Sequence, residues 1–196
     1  MAQRTSKLIQ LVNHFYDLVQ VSLMIWLRLL KSGIVYGWLD GLYCGYANST
    51  RDSQTLRFRD RFKVSLQLKY QRVVSLSVSF LLAGVVFLYW YRVRFNLAGN
   101  LLLIVLGLLV QLVVVYLIWL AYLSATAEQQ PLLYAKALDL MLRRFPVSLS
   151  LWFLLIGGLL LAYTNLVIFV LVVPGAFCKL STKLLASRSS QRQLIN

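Results

Sequence analysis

The chain has 196 residues, of which 60% are hydrophobic and 13% charged, whereas an ordinary soluble domain is about half apolar and a quarter charged. That balance excludes a disordered chain and argues against a soluble fold, and the mean hydropathy of +0.72 points to a membrane protein. The net charge of +14 would also suit a nucleic-acid binder, but the basic residues are spread among inter-span segments instead of being gathered on one soluble module.

Catalytic chemistry has little to draw on. There is one His (His14), one Glu (Glu128) and five Asp (Asp17, Asp40, Asp52, Asp60, Asp139), and no two carboxylates fall at a spacing that would place them together locally. Cys44 and Cys178 sit in or beside apolar runs without a CxxC pair, and read as buried free thiols. No dinucleotide fingerprint, phosphate loop, zinc-protease motif or nucleophile elbow is present. A non-enzymatic protein is therefore expected, with no cofactor, no metal and no nucleic acid as partner.

In chain order, Arg4 and Lys7 precede an apolar stretch as they would in a signal peptide. Asn13, His14, Asp17 and Gln20 interrupt it and no small-x-small cleavage site follows, so the segment is expected to remain on the mature protein. Gln10, Asn13, Asp17, Gln20, Met24, Arg28 and Lys31 recur every three or four residues, which puts them on one face of an amphipathic helix. The other faces carry Leu11, Phe15, Leu18, Ile25 and Trp26. Such a helix either lies in the membrane interface or crosses with its polar stripe turned into the bundle. The stretch 33–47 is apolar except for Asp40 but short for a span, and one crossing is expected somewhere in 19–47.

The segment 48–72 carries Arg51, Arg57, Arg59, Arg61, Lys63, Lys69 and Arg72. Span 73–91 follows, with only Ser75, Ser77 and Ser79 as polar members; a tight turn at Arg92-Val-Arg-Phe-Asn beside Tyr89, Trp90 and Tyr91 leads into span 97–123. Segment 124–146 holds Lys136, Arg143 and Arg144, and its helical stripe is Tyr134, Ala137, Leu138, Met141 and Phe145. Pro131 and Pro146 suit first helical turns. The run 147–178 is too long for one upright helix, about 48 Å at 1.5 Å per residue, so a hairpin turning near Tyr163-Thr-Asn165 and kinked at Pro174-Gly175 is expected. Lys179, Lys183, Arg188 and Arg192 follow, and together 14 of the 20 basic residues fall on one side. The positive-inside rule makes that side the cytoplasm, the tail 179–196 included.

The segments Val74-Ser-Leu-Ser-Val-Ser-Phe-Leu-Leu-Ala-Gly84 and Val147-Ser-Leu-Ser-Leu-Trp-Phe-Leu-Leu-Ile-Gly157 match at 8 of 11 positions at an offset of 73, and Lys63 aligns with Lys136 at the same offset. Each follows a basic amphipathic stretch, so the expected unit is a cytoplasmic amphipathic helix plus a transmembrane hairpin, used twice. The architecture expected is an all-α polytopic bundle of about five spans. Its parts are an N-terminal region 1–47, units 48–123 and 124–178, and the basic tail.

Trp26 with Gly37 and the tyrosines at 43–46, then Phe58-Arg-Asp-Arg-Phe-Lys63, then Ala135-Lys-Ala-Leu138 with Arg143-Arg-Phe-Pro146, and finally Val173-Pro-Gly-Ala176, resemble the YesL-like family of bacterial integral membrane proteins over about residues 15–185. In that family the segment after the tryptophan is apolar, with Pro and Thr before the glycine; here Ser32 and Val35 hold those places, and Arg28 and Lys31 intrude. The resemblance implies no catalytic residues. It implies a multi-pass protein of the bacterial cytoplasmic membrane from a family of uncharacterised function, often encoded beside carbohydrate uptake and carbohydrate-degrading systems, and the expected role is an accessory or regulatory partner of a carbohydrate permease. The surface for that partner, or for the anionic inner leaflet, would be Arg57, Arg59, Arg61, Lys63, Lys136, Arg143 and Arg144. The alternative is a transporter or channel component in its own right, with Asp17, Arg28, Lys31, Asp40 and Gln111 along a polar path.

Overall fold

The computed structural model describes residues 2–50, 66, 70–95, 101–126 and 132–186, and eight helices account for nearly all of them. They are α1 (Ala2–Lys31), α2 (Trp38–Thr50), α3 (Gln71–Phe95), α4 (Leu101–Thr126), α5 (Leu133–Arg143), α6 (Phe145–Thr164), α7 (Leu166–Leu171) and α8 (Val173–Ala186). The fold is all-helical, as composition and periodicity imply. Among the described residues three helices are long and apolar enough to cross a bilayer: α3 over Gln71–Val93, α4 over Leu103–Thr126 and α6 over Phe145–Thr164. Phe80, Val86 and Phe87 of α3 and Leu108 and Leu112 of α4 stay exposed, which suits hydrocarbon as the surrounding solvent.

Helix α4 is the hub. Leu117, Ile118, Trp119, Leu120 and Ala121 are all buried, and α2, α3, α5 and α6 pack around it. The repeat noted in the sequence corresponds to a packing register: Ser75 and Ser148 are buried at aligned positions, as are Val78 and Leu151. Both serines act as hydrogen-bonding pins. Ser75 Oγ accepts from the Leu39 amide at 3.3 Å, and Ser148 Oγ accepts from Trp119 Nε1 at 3.1 Å while donating to the Met141 carbonyl at 2.9 Å.

The region 19–47, where one crossing is expected, folds as part of a helical hairpin. Helix α1 ends at Lys31, the chain turns through 32–37, and α2 runs back for 13 residues, about 20 Å, too short to cross alone. Gly33 supplies the positive φ of 76° that the turn needs. The turn closes its own backbone: Ser32 N–H donates to Arg28 O, Gly33 N–H to Leu30 O, and both Tyr36 and Gly37 N–H to Gly33 O. Ser79 Oγ then donates to the Val35 carbonyl at 2.9 Å. Gly37, Gly41 and Gly45, one helical turn apart, line the seam where α2 meets Leu29 and Ile25 of α1. A Cβ at Gly37 would lie 2.8 Å from the Leu29 carbonyl oxygen.

The hairpin expected in 147–178 is present, and its turn falls at Asn165, whose side chain caps α7 by accepting from the Val167 and Ile168 amides at 3.1 Å. The break in the returning arm is at Val172 instead of Pro174-Gly175. Pro174 falls in the first turn of α8, where its missing N–H breaks no helical bond. Because α8 continues to Ala186, α7 and α8 together run about 31 Å from Leu166, close to the length of α6. Lys179 and Lys183 thus belong to a helix and not to a tail.

In α5 the buried row is Leu133, Ala137 and Met141, while Leu138, expected on that row, is 52% exposed. Phe145 opens α6 and is also exposed. Residues four apart share a helix face and Leu138 lies off the 133/137/141 row, so α5 carries an outward apolar strip beside its core strip. The helix ends at Arg143 with Arg144 as its C-cap, and Pro146 sits in the first turn of α6 as the sequence predicts.

Candidate functional site

The polar stripe of α1 is turned inward at Met24 and Arg28, which are buried together with Ser22, while Gln10 and Asn13 near its start and Lys31 at its end are exposed. Arg28 lies against Asp40, Nη1 to Oδ2 at 3.4 Å, with side-chain exposures of 7% and 9%. The same carboxylate oxygen accepts from Ser32 Oγ at 3.2 Å, and Oδ1 accepts from the Leu66 amide at 3.5 Å. Cys44 sits beside this guanidinium, one turn further along α2. Asp40 thus gathers donors from α1, the turn and the segment after α2. Burying a carboxylate at this depth is costly unless it is paired and hydrogen-bonded.

The other members of the expected polar path lie elsewhere. Asp17 is 11 residues before Arg28, about 16 Å along the helix, and pairs with Lys179 of α8. Gln111 accepts from Trp152 Nε1, joining α4 to α6. Lys31 is exposed in the last turn of α1. Arg28 and Asp40 are brought together, while Asp17 and Gln111 serve other helix pairs.

Three joins of comparable weight carry no signal in local spacing. Trp26 Nε1 donates to the Val170 carbonyl at 2.9 Å, the Gly175 amide donates to Ser22 Oγ at 2.9 Å, and the Tyr46 and Ser181 hydroxyls share a bond of 2.7 Å. These tie α7 and α8 onto α1 and α2. The sequence signals at this interface are Gly45, whose Cβ would lie 2.6 Å from Cys178 Sγ, and Gly175, whose Cβ would lie 2.3 Å from the Leu18 carbonyl oxygen.

At the end of the bundle where α4 finishes and α6 begins, α5 presents Lys136, Arg143 and the C-cap Arg144. Arg143 Nε bonds Asp139 Oδ1 at 2.6 Å, an i,i+4 pair with exposures of 74% and 50%, so it is open to water and weak. Burial pushes the Tyr134 phenol above its usual range, and its ring tilts against Tyr70 at 6.4 Å between centroids. Arg57, Arg59, Arg61 and Lys63, the other half of the expected basic surface, lie outside the described residues. Among the described residues no cluster of three His, Cys, Asp or Glu is placed to hold a metal ion. No protein-family model, curated protein or solved structure matches the chain.

Proposed function

We propose that the chain is a non-enzymatic protein of the bacterial cytoplasmic membrane, YesL-like, that serves as an accessory or regulatory partner of a carbohydrate permease. In this reading α3, α4, α6 and the α7 and α8 arm cross the bilayer, and the α1 and α2 hairpin enters from the basic side and returns to it. Both termini and α5 then lie on the cytoplasmic side, which accounts for Arg4 and Lys7 as well as for the basic segments.

The observation that supports an accessory role over a conducting one is the state of Asp40. A carboxylate serving a solute or proton path exchanges partners during transport, whereas Asp40 is held between α1 and α2 by Arg28, Ser32 and the Leu66 amide. Its neighbours in the sequence-derived path are committed to separate helix pairs. The basic, lipid-facing α5 is then the surface offered to a partner.

Two measurements test the reading. Liposomes containing this protein alone should show no sugar flux, and the protein should co-purify with a permease in mild detergent; accumulation of sugar that is lost on Asp40→Asn would establish the transporter instead. Topology is read by single-cysteine labelling in intact cells. Tyr163→Cys, at a position 92% exposed, should label from outside, and Lys136→Cys only after permeabilisation. The reverse pattern would overturn the orientation.

A further inference from the structure

An apolar groove of about 320 Å³ runs between α4, α5 and α6, at the small end of ligand-site volumes. Leu108 and Leu112 form one wall, Met141 and Phe145 another, and Trp152 and Ser148 the floor. Its polar atoms are already engaged. Ser148 is bonded to Trp119 and to the Met141 carbonyl, and the Trp152 N–H is donated to Gln111. The groove therefore suits a hydrocarbon chain and offers nothing to a polar ligand. A helix of 10–12 Å diameter would not enter it.

The mouth has the opposite character. Leu142 and Phe145 both line the groove, and Arg143 and Arg144 lie between them in the chain. Arg143 meets Asp139 through Nε only, in an exposed pair that is easily given up, so its terminal nitrogens can form a fork around a phosphate. Lys136 adds a third positive charge on α5. An apolar slot descending beside two spans, with two arginines adjacent in the chain to Leu142 and Phe145 of its lining, is complementary in shape and charge to one chain and the headgroup of an anionic phospholipid.

We infer that this groove is a selective site for an anionic phospholipid, with an acyl chain against Leu108, Leu112 and Trp152 and the headgroup phosphate held by Arg143 and Arg144. The site rests on the membrane topology proposed above and is independent of the permease partner.

The test uses the full chain in phosphatidylcholine bilayers doped with phosphatidylglycerol or phosphatidylcholine brominated on the acyl chain. Bromine quenches nearby tryptophan, and the difference between the native protein and Trp152→Phe isolates the groove signal. The Trp152 signal should report a preference for phosphatidylglycerol of about fivefold or more, the equivalent of one basic residue engaging an anionic headgroup. Arg143→Gln with Arg144→Gln should bring the ratio to about one. Raising ionic strength on the unaltered protein should lower the ratio as well, since exposed charges are screened, which keeps the test valid if the double variant fails to fold. Equal quenching by both lipids would overturn the inference, as would a preference that survives both the substitution and salt. Trp152 unquenched by either lipid would also overturn it, because the groove is then filled by protein. If Lys136→Cys labels from outside while the lipid preference persists, the topology fails and the site stands.

Discussion

Replacing Gly175 by Ala tests the crossing of α8 over α1. A Cβ there would lie 2.3 Å from the Leu18 carbonyl oxygen and 3.0 Å from Ser22 Oγ, about 1 Å short of the 3.4 Å at which ordinary contact begins for the first of these. That oxygen belongs to the backbone of a helix of 30 residues, so relief requires α1 and α8 to separate. Separation stretches the 2.9 Å bond from the Gly175 amide to Ser22 Oγ. Overpacking of this kind costs about 1–3 kcal/mol, and the weakened buried hydrogen bond about 1 kcal/mol more. The gain from Ala over Gly within a helix offsets about 1 kcal/mol. A net loss of about 1–3 kcal/mol corresponds to a Tm lower by about 3–9 °C for a chain of this size. The assay is thermal unfolding of the detergent-solubilised protein, followed by size exclusion of heated samples. Gly157→Ala in α6 is the control, since nothing lies within 4 Å of its Cβ position; it should hold or raise Tm. If Gly175→Ala melts with the wild type or with Gly157→Ala, the close crossing of α1 and α8 is refuted.

Other substitutions probe the remaining joins. Arg28→Met or Asp40→Asn alone strands one buried partner and should cost about 3–5 kcal/mol, while the double variant should recover a large part of that loss; additive losses in a thermal-shift cycle would show that the two side chains are not coupled. Asn165→Ala removes the cap on α7 and should lower stability by about 1 kcal/mol, with Asn165→Asp close to wild type; unchanged melting of the Ala variant would mean that the turn is held by packing instead. Cys44 and Cys178, both fully buried, should resist maleimide in the folded protein and react only after denaturation, as mass spectrometry would show. Labelling of either thiol in the native state would contradict the packing of α2 against α8.

Much of the helical layout is legible in the sequence because hydrocarbon-crossing helices announce themselves by length and composition. The spans α3 and α4 begin and end within a few residues of the apolar runs 73–91 and 97–123. The turn at Asn165 was legible because 147–178 is too long for one upright span and carries a cap residue at its middle. The α1 and α2 hairpin was not, because an amphipathic stripe is compatible with an interfacial helix and with a buried one, and periodicity treats them alike. Its marker was present at Gly37, Gly41 and Gly45, where three small residues one turn apart permit a close helix seam. The polar-path residues misled for a related reason. Shared chemistry among Asp17, Arg28, Asp40 and Gln111 suggested a shared location, yet only Arg28 and Asp40 meet.

What the sequence by itself determined is the class: an all-helical chain with stretches long and apolar enough to cross a membrane, because hydropathy acts locally. What only the tertiary structure decided is pairing. Lys179 meets Asp17 across 162 residues, Trp26 meets Val170 across 144, and Trp152 meets Gln111 across 41. Such contacts depend on where helices cross, and the crossings are set by which small residues let backbones approach and which buried polar groups must find a donor or an acceptor. The basic charge is distributed by the same logic: Arg28 and Lys179 are drawn inward to Asp40 and Asp17, while Arg143 pairs with Asp139 in an exposed position on α5.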